Sequence, residues 1–141
     1  MNNLKIFLVL LASIISIGSC SKDEDFAQDF DVKLKEAFEL KIEELATISA
    51  GSLSVKVINI LDDSRCPELA FCTWAGQIKL EIEITDNQNT STKEMIFQEG
   101  KDLPFEFGDY IFSIIQVTPD TQIDEVIELD DYTFTFFIEK K

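Results

Sequence analysis

The chain has 141 residues, with 27 Asp and Glu against 12 Lys and Arg, a formal net charge of −15 and no histidine. This acidity argues against a nucleic-acid or anionic-lipid surface, because both need clustered basic side chains. The absence of histidine excludes histidine-based catalytic triads, most zinc sites and imidazole pH switches. Twelve phenylalanines, together with many Ile, Val and Leu residues, are enough to fill the core of one domain.

The first residues are arranged as in a secretory signal. Lys5 and the amino terminus supply a positive region, and an apolar run extends from Ile6 to Ile17. This run is too short for a comfortable membrane span. Residues 1–19 are therefore predicted to be a signal peptide that is removed.

The end of this segment, Ile17-Gly18-Ser19-Cys20, resembles the lipobox of bacterial lipoproteins. The resemblance implies that Cys20 is acylated and cleavage leaves it as the first residue; the alternative is a plain signal peptide with an incidental cysteine. Three acyl chains, at about 0.8 kcal/mol per buried methylene, would anchor the chain permanently to a membrane.

An acidic stretch follows the predicted lipidation site. It resembles the export signal that sends lipoproteins of Bacteroidetes to the outer face of the outer membrane, and its residues are Ser21, Lys22, Asp23, Glu24 and Asp25. A flexible tether of any kind also favours such a composition. We expect residues 20–31 to be the tether and residues 32–141 to form a single domain.

Residues 29–45 fit a helical spacing and a strand alternation about equally well. The family resemblance described below favours a strand over Phe38–Ile42, and a second short strand, Leu45–Ser49, is expected after a tight turn. From Leu53 to Leu61 apolar residues alternate until the phase slips, which predicts a strand with a bulge near Ile58-Asn59.

The second half of the chain also reads as strands. Ile78, Leu80, Ile82 and Ile84 alternate with polar residues, which is typical of a half-buried strand. Further strands are predicted over Thr92–Phe97, Phe105–Phe107, Tyr110–Val117 and Tyr132–Ile138. In the acidic connection 120–131, one helical turn is expected to pack Ile123, Val126, Ile127 and Leu129 against the core. The sequence thus predicts an all-β fold, an antiparallel β-sandwich or partly closed barrel of about seven strands, with parallel pairing unlikely.

A turn with two cysteines lies between the two most regular strands. Cys66 and Cys72 are separated by five residues, a spacing that permits a disulfide worth roughly 2 to 3 kcal/mol. Asp63 and Ser64 are suited to accept backbone N–H groups, Arg65 to bridge carboxylate or carbonyl groups, and Trp74 to cover the disulfide or join the core. The same four residues, Asp63, Ser64, Arg65 and Trp74, are also candidates for contact with a ligand.

The sequence Asp63-Ser64-Arg65-Cys66-Pro67 followed by Cys72-Thr73-Trp74-Ala75-Gly76 resembles a family of small bacterial lipoproteins. The resemblance extends from about Phe38 to Ile138. It implies a β-fold and an envelope location, and it implies no reaction.

No catalytic set, cofactor motif or metal-ligand spacing is recognisable, and residues 120–131 lack the spacing of a calcium loop. We therefore expect a non-enzymatic, surface-anchored module that binds a glycan or a protein and no nucleic acid. One alternative is a proteinase inhibitor that presents Glu68 to Phe71, which requires Leu69 and Phe71 to be exposed. Another alternative is a structural component of the envelope.

Overall fold

The computed structural model describes residues 30–48, 53–87 and 89–141. The predicted signal peptide, the lipidation site Cys20 and the export stretch 21–25 lie outside these residues. So does Ser49, the predicted end of the second short strand. Within the described ranges, no helix has the length and apolar character needed to cross a membrane.

Nine strands in the described residues form two sheets that pack as a sandwich. Their bounds are β1 Phe30–Val32, β2 Ala37–Leu40, β3 Leu45–Ile48, β4 Leu53–Asp63, β5 Ile78–Asp86, β6 Asn89–Phe97, β7 Phe105–Phe107, β8 Tyr110–Thr118 and β9 Thr133–Lys140. The first sheet has the order β1-β3-β4-β5-β6, and the second has the order β2-β9-β8-β7. The predicted all-β sandwich is confirmed, and neither sheet closes into a barrel.

The core lies between the sheets, and the alternation seen in the sequence accounts for it. In β5 every second side chain, from Ile78 to Ile84, is fully buried, and β9 buries Phe134, Phe136 and Ile138 in the same way. Successive side chains of a strand point to opposite faces, so one apolar set per strand is enough to fill the space between two sheets.

The predicted bulge in β4 is confirmed. Val57 pairs with Ile82, but the next partners are Asn59 and Glu81, so Ile58 is an extra residue on β4. After this extra residue, the alternation of apolar and polar side chains along β4 is shifted by one position, as the sequence predicts. β4 nevertheless continues to Asp63, which pairs with Ile78 at the start of β5.

Several expectations for the first part of the domain need correction. Phe30–Val32 is already a strand, so the domain begins before the predicted boundary at residue 32. This strand pairs with β3 in parallel, which the sequence did not lead us to expect. Residues 37–40 and 45–48 are strands and not a helix, and β2 ends at Leu40, before the predicted end at Ile42. β2 and β3 belong to different sheets and do not form a hairpin. In addition, β6 begins at Asn89, three residues before the predicted start.

The prediction for the acidic connection is largely wrong. Its one helical element is a short 3-10 turn, Leu129–Asp131, which is too short to present an apolar face. Ile127 packs against the core, whereas Ile123, Val126 and Leu129 are exposed. The connection therefore crosses one end of the sandwich with apolar side chains in water.

Candidate binding site at the disulfide loop

The long loop of residues 64–77 leaves the first sheet between two neighbouring strands. The Ser64 backbone N–H donates to the Gln77 carbonyl at 2.8 Å, which extends the pairing of β4 and β5 by one step. The Ser64 hydroxyl donates to the same carbonyl at 3.1 Å. Ser64 was expected to accept a backbone N–H; in the structure its side chain is a donor that closes the base of the loop.

The predicted disulfide between Cys66 and Cys72 is confirmed, with the two Cα atoms 5.9 Å apart. Inside the ring, the Ala70 N–H donates to the Pro67 carbonyl at 3.0 Å, which closes a tight turn. Leu69, the third residue of this turn, has a φ of 67°. That position usually holds Gly or Asn, because a Cβ disfavours the left-handed region.

Asp63 and Arg65 form a nearly buried ion pair beside the disulfide. The Arg65 Nε donates to the Asp63 Oδ1 at 3.0 Å and Nη2 donates to Oδ2 at 2.8 Å, while the Arg65 backbone N–H donates to Oδ1 at 3.2 Å. Only 10% of the Arg65 side chain and 12% of the Asp63 side chain are exposed. The roles predicted for these two residues inside the turn agree with this geometry.

The same pair connects the turn to the second sheet. The Tyr132 hydroxyl, just before β9, donates to the Asp63 Oδ2 at 3.0 Å. The Arg65 Nη1 donates to the carbonyls of Val117 and Pro119 at 3.2 and 3.0 Å, and its guanidinium carbon lies 5.8 Å from the centre of the Tyr132 ring. One carboxylate and one guanidinium therefore tie the two sheets together at this end of the sandwich.

The ionisation of this cluster follows from its contacts. Burial alone would raise the pKa of Asp63, but the hydrogen bonds and charge of Arg65 and the Tyr132 hydroxyl outweigh it, so the pKa lies below its ordinary 3.8. Burial and the hydrogen bond to Asp63 both raise the pKa of Tyr132 above its ordinary 10.0. At neutral pH the carboxylate is therefore charged and the tyrosine remains a donor.

Two further segments hold the loop in place. The Glu68 N–H donates to the Thr121 carbonyl at 2.7 Å, and the Gln122 side chain donates to the Glu68 carboxylate at 2.8 Å. On the other side, the nearly buried Gln98 donates to the Ala75 carbonyl at 3.0 Å. The loop is thus fixed by a disulfide, an ion pair and hydrogen bonds from both sheets.

The side chains at the tip of this fixed loop are in water. Leu69 is 90% exposed and Phe71 is fully exposed. Trp74 is 61% exposed, which overturns the expectation that it belongs to the core, although its Nε1 donates to the Ser64 carbonyl at 3.4 Å. An open groove of about 680 Å³ lies beside the tip, and its lining includes Arg65, Cys66, Cys72, Trp74, Glu99 and Asp120.

The sequence did not indicate three of the residues that shape the site, Tyr132, Thr121 and Gln98. One feature of the sequence could have indicated Tyr132. It is a tyrosine at the start of a strand whose other inward residues are Phe and Ile, and a buried tyrosine hydroxyl needs a hydrogen-bond partner. Thr121 contributes its backbone carbonyl and Gln98 its side-chain amide, and neither kind of contact produces a pattern in the sequence.

The arrangement is suited to recognition, because exposed apolar side chains extend from a held backbone next to an open groove. Within the residues that the structure covers, no three metal-ligating side chains gather into a group that could hold an ion. Comparison of the chain with family models, curated proteins and solved structures finds no match in any of the three.

Proposed function

We propose that this chain is a lipid-anchored, non-enzymatic binding module of the outer membrane, displayed on the cell surface, which contacts a partner protein through the Cys66–Cys72 loop. The observation that carries the proposal is the exposure of Leu69 and Phe71 on a loop that the fold holds in place. Exposed apolar side chains contribute little to folding, and side chains whose backbone is already ordered lose less entropy on association.

A protein partner is favoured over a glycan by the kind of side chain at the tip. Sugars stack on flat aromatic rings, and Trp74 and Phe71 are suited to that. Leu69, however, is a branched aliphatic side chain that gains most from burial in an apolar pocket of another protein.

The location rests on the lipobox-like segment ending at Cys20 and on the acidic residues 21–25. Metabolic labelling with a palmitate analogue should mark the protein, and the Cys20→Ser variant should lose the label. Brief treatment of intact cells with proteinase K should remove the domain, and replacement of residues 21–25 with Ala and Gly should protect it. A label that persists in Cys20→Ser would overturn lipid anchoring, and a wild-type domain that survives the treatment would overturn surface display.

The binding role can be tested in cells that produce the full chain with a photo-crosslinking amino acid at position 71. A second chain carries the crosslinker at Asp109, an exposed residue in the turn before β8, which is the end of the sandwich remote from the loop. We expect a discrete adduct from position 71 only, and a weaker one when Leu69→Ser is added. No adduct at position 71, or equal adducts at both positions, would overturn the proposal.

The disulfide provides an independent control for that experiment. The double variant Cys66→Ser, Cys72→Ser should lose about 2 kcal/mol of stability, since the ring is small, and should remain folded because the core lies between the sheets. The loop tip would then be held only by its hydrogen bonds, and the adduct at position 71 should decline. An unchanged adduct would mean that the fixed geometry of the loop is not what the partner recognises.

A second candidate function is proteinase inhibition, because Leu69 and Phe71 meet the exposure that it requires. The turn at Pro67–Ala70 weighs against it, since a segment that enters an active site like a substrate is extended. Incubation of the full chain with serine and cysteine proteinases should leave their activity unchanged. Tight inhibition of one class that Phe71→Ala abolishes would establish this role.

A further inference from the structure

Two segments are in contact at this end of the sandwich, and we call residues 66–76 and 119–131 together the docking face. The hydrogen bonds from Glu68 to Thr121 and from Gln122 to Glu68 join the segments directly. The Thr121 hydroxyl also donates to the Arg65 carbonyl at 3.5 Å. The disulfide loop and the beginning of the acidic connection therefore lie side by side.

The docking face carries most of the large apolar side chains that the described part of the domain leaves in water. Phe71, Leu69 and Val126 are the three most exposed of these, with Val126 at 83%. Trp74, Ile123 and Leu129 belong to the same face and are about half exposed or more. Clustered exposed apolar side chains mark interaction surfaces, whereas single ones are ordinary.

The charge of the docking face is entirely negative. Its carboxylates are Glu68 in the first segment and Asp120, Asp124, Glu125, Glu128, Asp130 and Asp131 in the second, and neither segment contains Lys or Arg. Elsewhere in the described domain, lysines form ion pairs with carboxylates, for example Lys56 with Glu43 and Lys79 with Glu94. None of the ion pairs in the described residues uses a carboxylate of the docking face.

From this combination we infer that the docking face binds a basic partner protein, one whose contact surface presents Lys or Arg side chains around apolar pockets. The inference deepens the proposed function and rests on it. The partner's cations would lie against carboxylates that have no cation of their own, while Leu69 and Phe71 enter its pockets. Complementary charge speeds encounter and rejects wrong partners, and the apolar anchors supply affinity.

The test uses the full chain in phosphatidylcholine nanodiscs, with empty nanodiscs as the blank. The probe is a short peptide in which Lys alternates with Phe and Leu; one matched peptide has Glu for each Lys, and another has Ser for each Phe and Leu. We expect the Lys peptide to bind about ten-fold more tightly than either matched peptide. Raising NaCl from about 0.05 to about 0.5 M should weaken its binding, because salt screens surface charge.

Two charge-reversal variants show whether the docking face is responsible. Glu125→Lys with Glu128→Lys alters the face, while Glu36→Lys with Asp109→Lys changes the net charge equally at exposed sites outside it. The first pair should weaken binding of the Lys peptide about ten-fold, and the second less than about two-fold. Equal binding of the Glu peptide, or equal losses in both variants, would overturn the inference.

The photo-crosslinking experiment separates failure of this inference from failure of the proposed function. An adduct at position 71 that Glu125→Lys with Glu128→Lys leaves unchanged would overturn the basic partner and leave the binding module standing. No adduct at all would overturn both. An adduct that this variant abolishes and the control pair spares would support both.

Discussion

Arg65 holds the Asp63 carboxylate through two parallel hydrogen bonds, 3.0 Å from Nε to Oδ1 and 2.8 Å from Nη2 to Oδ2. Both side chains are nearly buried, so each charge depends on the other for the stabilisation that water would otherwise give. Because Asp63 ends a strand of one sheet and Arg65 hydrogen-bonds carbonyls at the end of a strand of the other, this pair is one of the contacts that hold the disulfide loop in place.

Replacing Asp63 with Asn should therefore destabilise the domain more than loss of a surface ion pair does. The neutral amide leaves the Arg65 guanidinium buried without a counter-charge, at a cost of about 3 kcal/mol. Urea denaturation measures this as a lower free energy of unfolding. Glu36→Gln, which breaks the exposed pair with Lys33, is the control and should change it by less than about 0.5 kcal/mol. Equal losses in the two variants would contradict the importance assigned to the pair.

The stability of the wild-type protein should depend on pH through the same carboxyl group. The pKa of Asp63 is below its ordinary 3.8 in the folded state, so the unfolded chain binds more protons and acid favours unfolding. The contribution is fully present above pH 3.8 and is lost as the pH falls through the folded-state pKa. Consequently, the difference in unfolding free energy between wild type and Asp63→Asn should narrow below pH 3.8. A constant difference down to about pH 2 would contradict the lowered pKa.

Tyr132 gives the opposite dependence at alkaline pH. Its pKa is raised above 10.0 in the folded state, so between that value and the folded-state pKa the folded chain holds more protons than the unfolded chain. Stability should therefore fall as the pH rises above 10.0, and Tyr132→Phe should show a smaller fall. The phenolate absorbance that Tyr132→Phe removes, taken as the difference between the alkaline titrations of wild type and variant, should develop above pH 10.0. A difference that develops fully below pH 10.0 would refute the prediction.

Gly76 should not tolerate even the smallest side chain. A Cβ at this position would lie 2.5 Å from the Arg65 Cα and 2.6 Å from the Ser64 carbonyl oxygen, and backbone atoms cannot move aside as side chains do. We expect Gly76→Ala to cost about 3 kcal/mol and to change the fluorescence of Trp74. Gly100→Ala is a useful comparison, because nothing lies within 4 Å and only its φ of 72° opposes a Cβ, a cost of about 1 kcal/mol. If the two substitutions cost the same, the close approach at Gly76 is not limiting.

Leu69 should show a conflict between stability and binding. Asn tolerates the left-handed conformation better than Leu does, and the exposed Leu69 side chain contributes little to folding. Leu69→Asn should therefore raise the free energy of unfolding by about 0.5 to 1 kcal/mol while it weakens the adduct formed from position 71. Leu69→Ala keeps the conformational cost and should not be stabilising. A destabilised Leu69→Asn protein would show that Leu69 supports the fold.

The sequence predicted those strands in which apolar and polar side chains alternate over several residues. The alternation from Ile78 to Ile84 indicated β5 because one face of that strand is buried throughout, and the slipped phase near Ile58 indicated the bulge because an extra residue reverses which side chains point inward. Three-residue β1 was not predictable, since so short a strand has no period and its parallel partner, β3, is supplied by the fold.

The site was predictable only where its contacts are local. Cys66 and Cys72 lie six positions apart, and their disulfide was expected. Asp63 was expected to accept a backbone N–H and Arg65 to reach a carboxylate or carbonyl group, but the sequence did not pair the two with each other. Tyr132 joins Asp63 across 69 positions, so no spacing in the sequence connects them. Of the roles expected for Trp74, the place in the core is wrong: hydrophobicity favours burial on average, but the loop that carries Trp74 leaves its side chain largely exposed.

The reach of Arg65 to the Val117 carbonyl has a consequence for self-association. β7 pairs only with Tyr110–Phe112, so among the described residues the second half of β8 has β9 as its sole strand neighbour. An unpaired strand edge is a template on which another polypeptide can add and begin to aggregate. The Arg65 guanidinium already hydrogen-bonds the carbonyls of Val117 and Pro119, so these two acceptors are not open to an added strand.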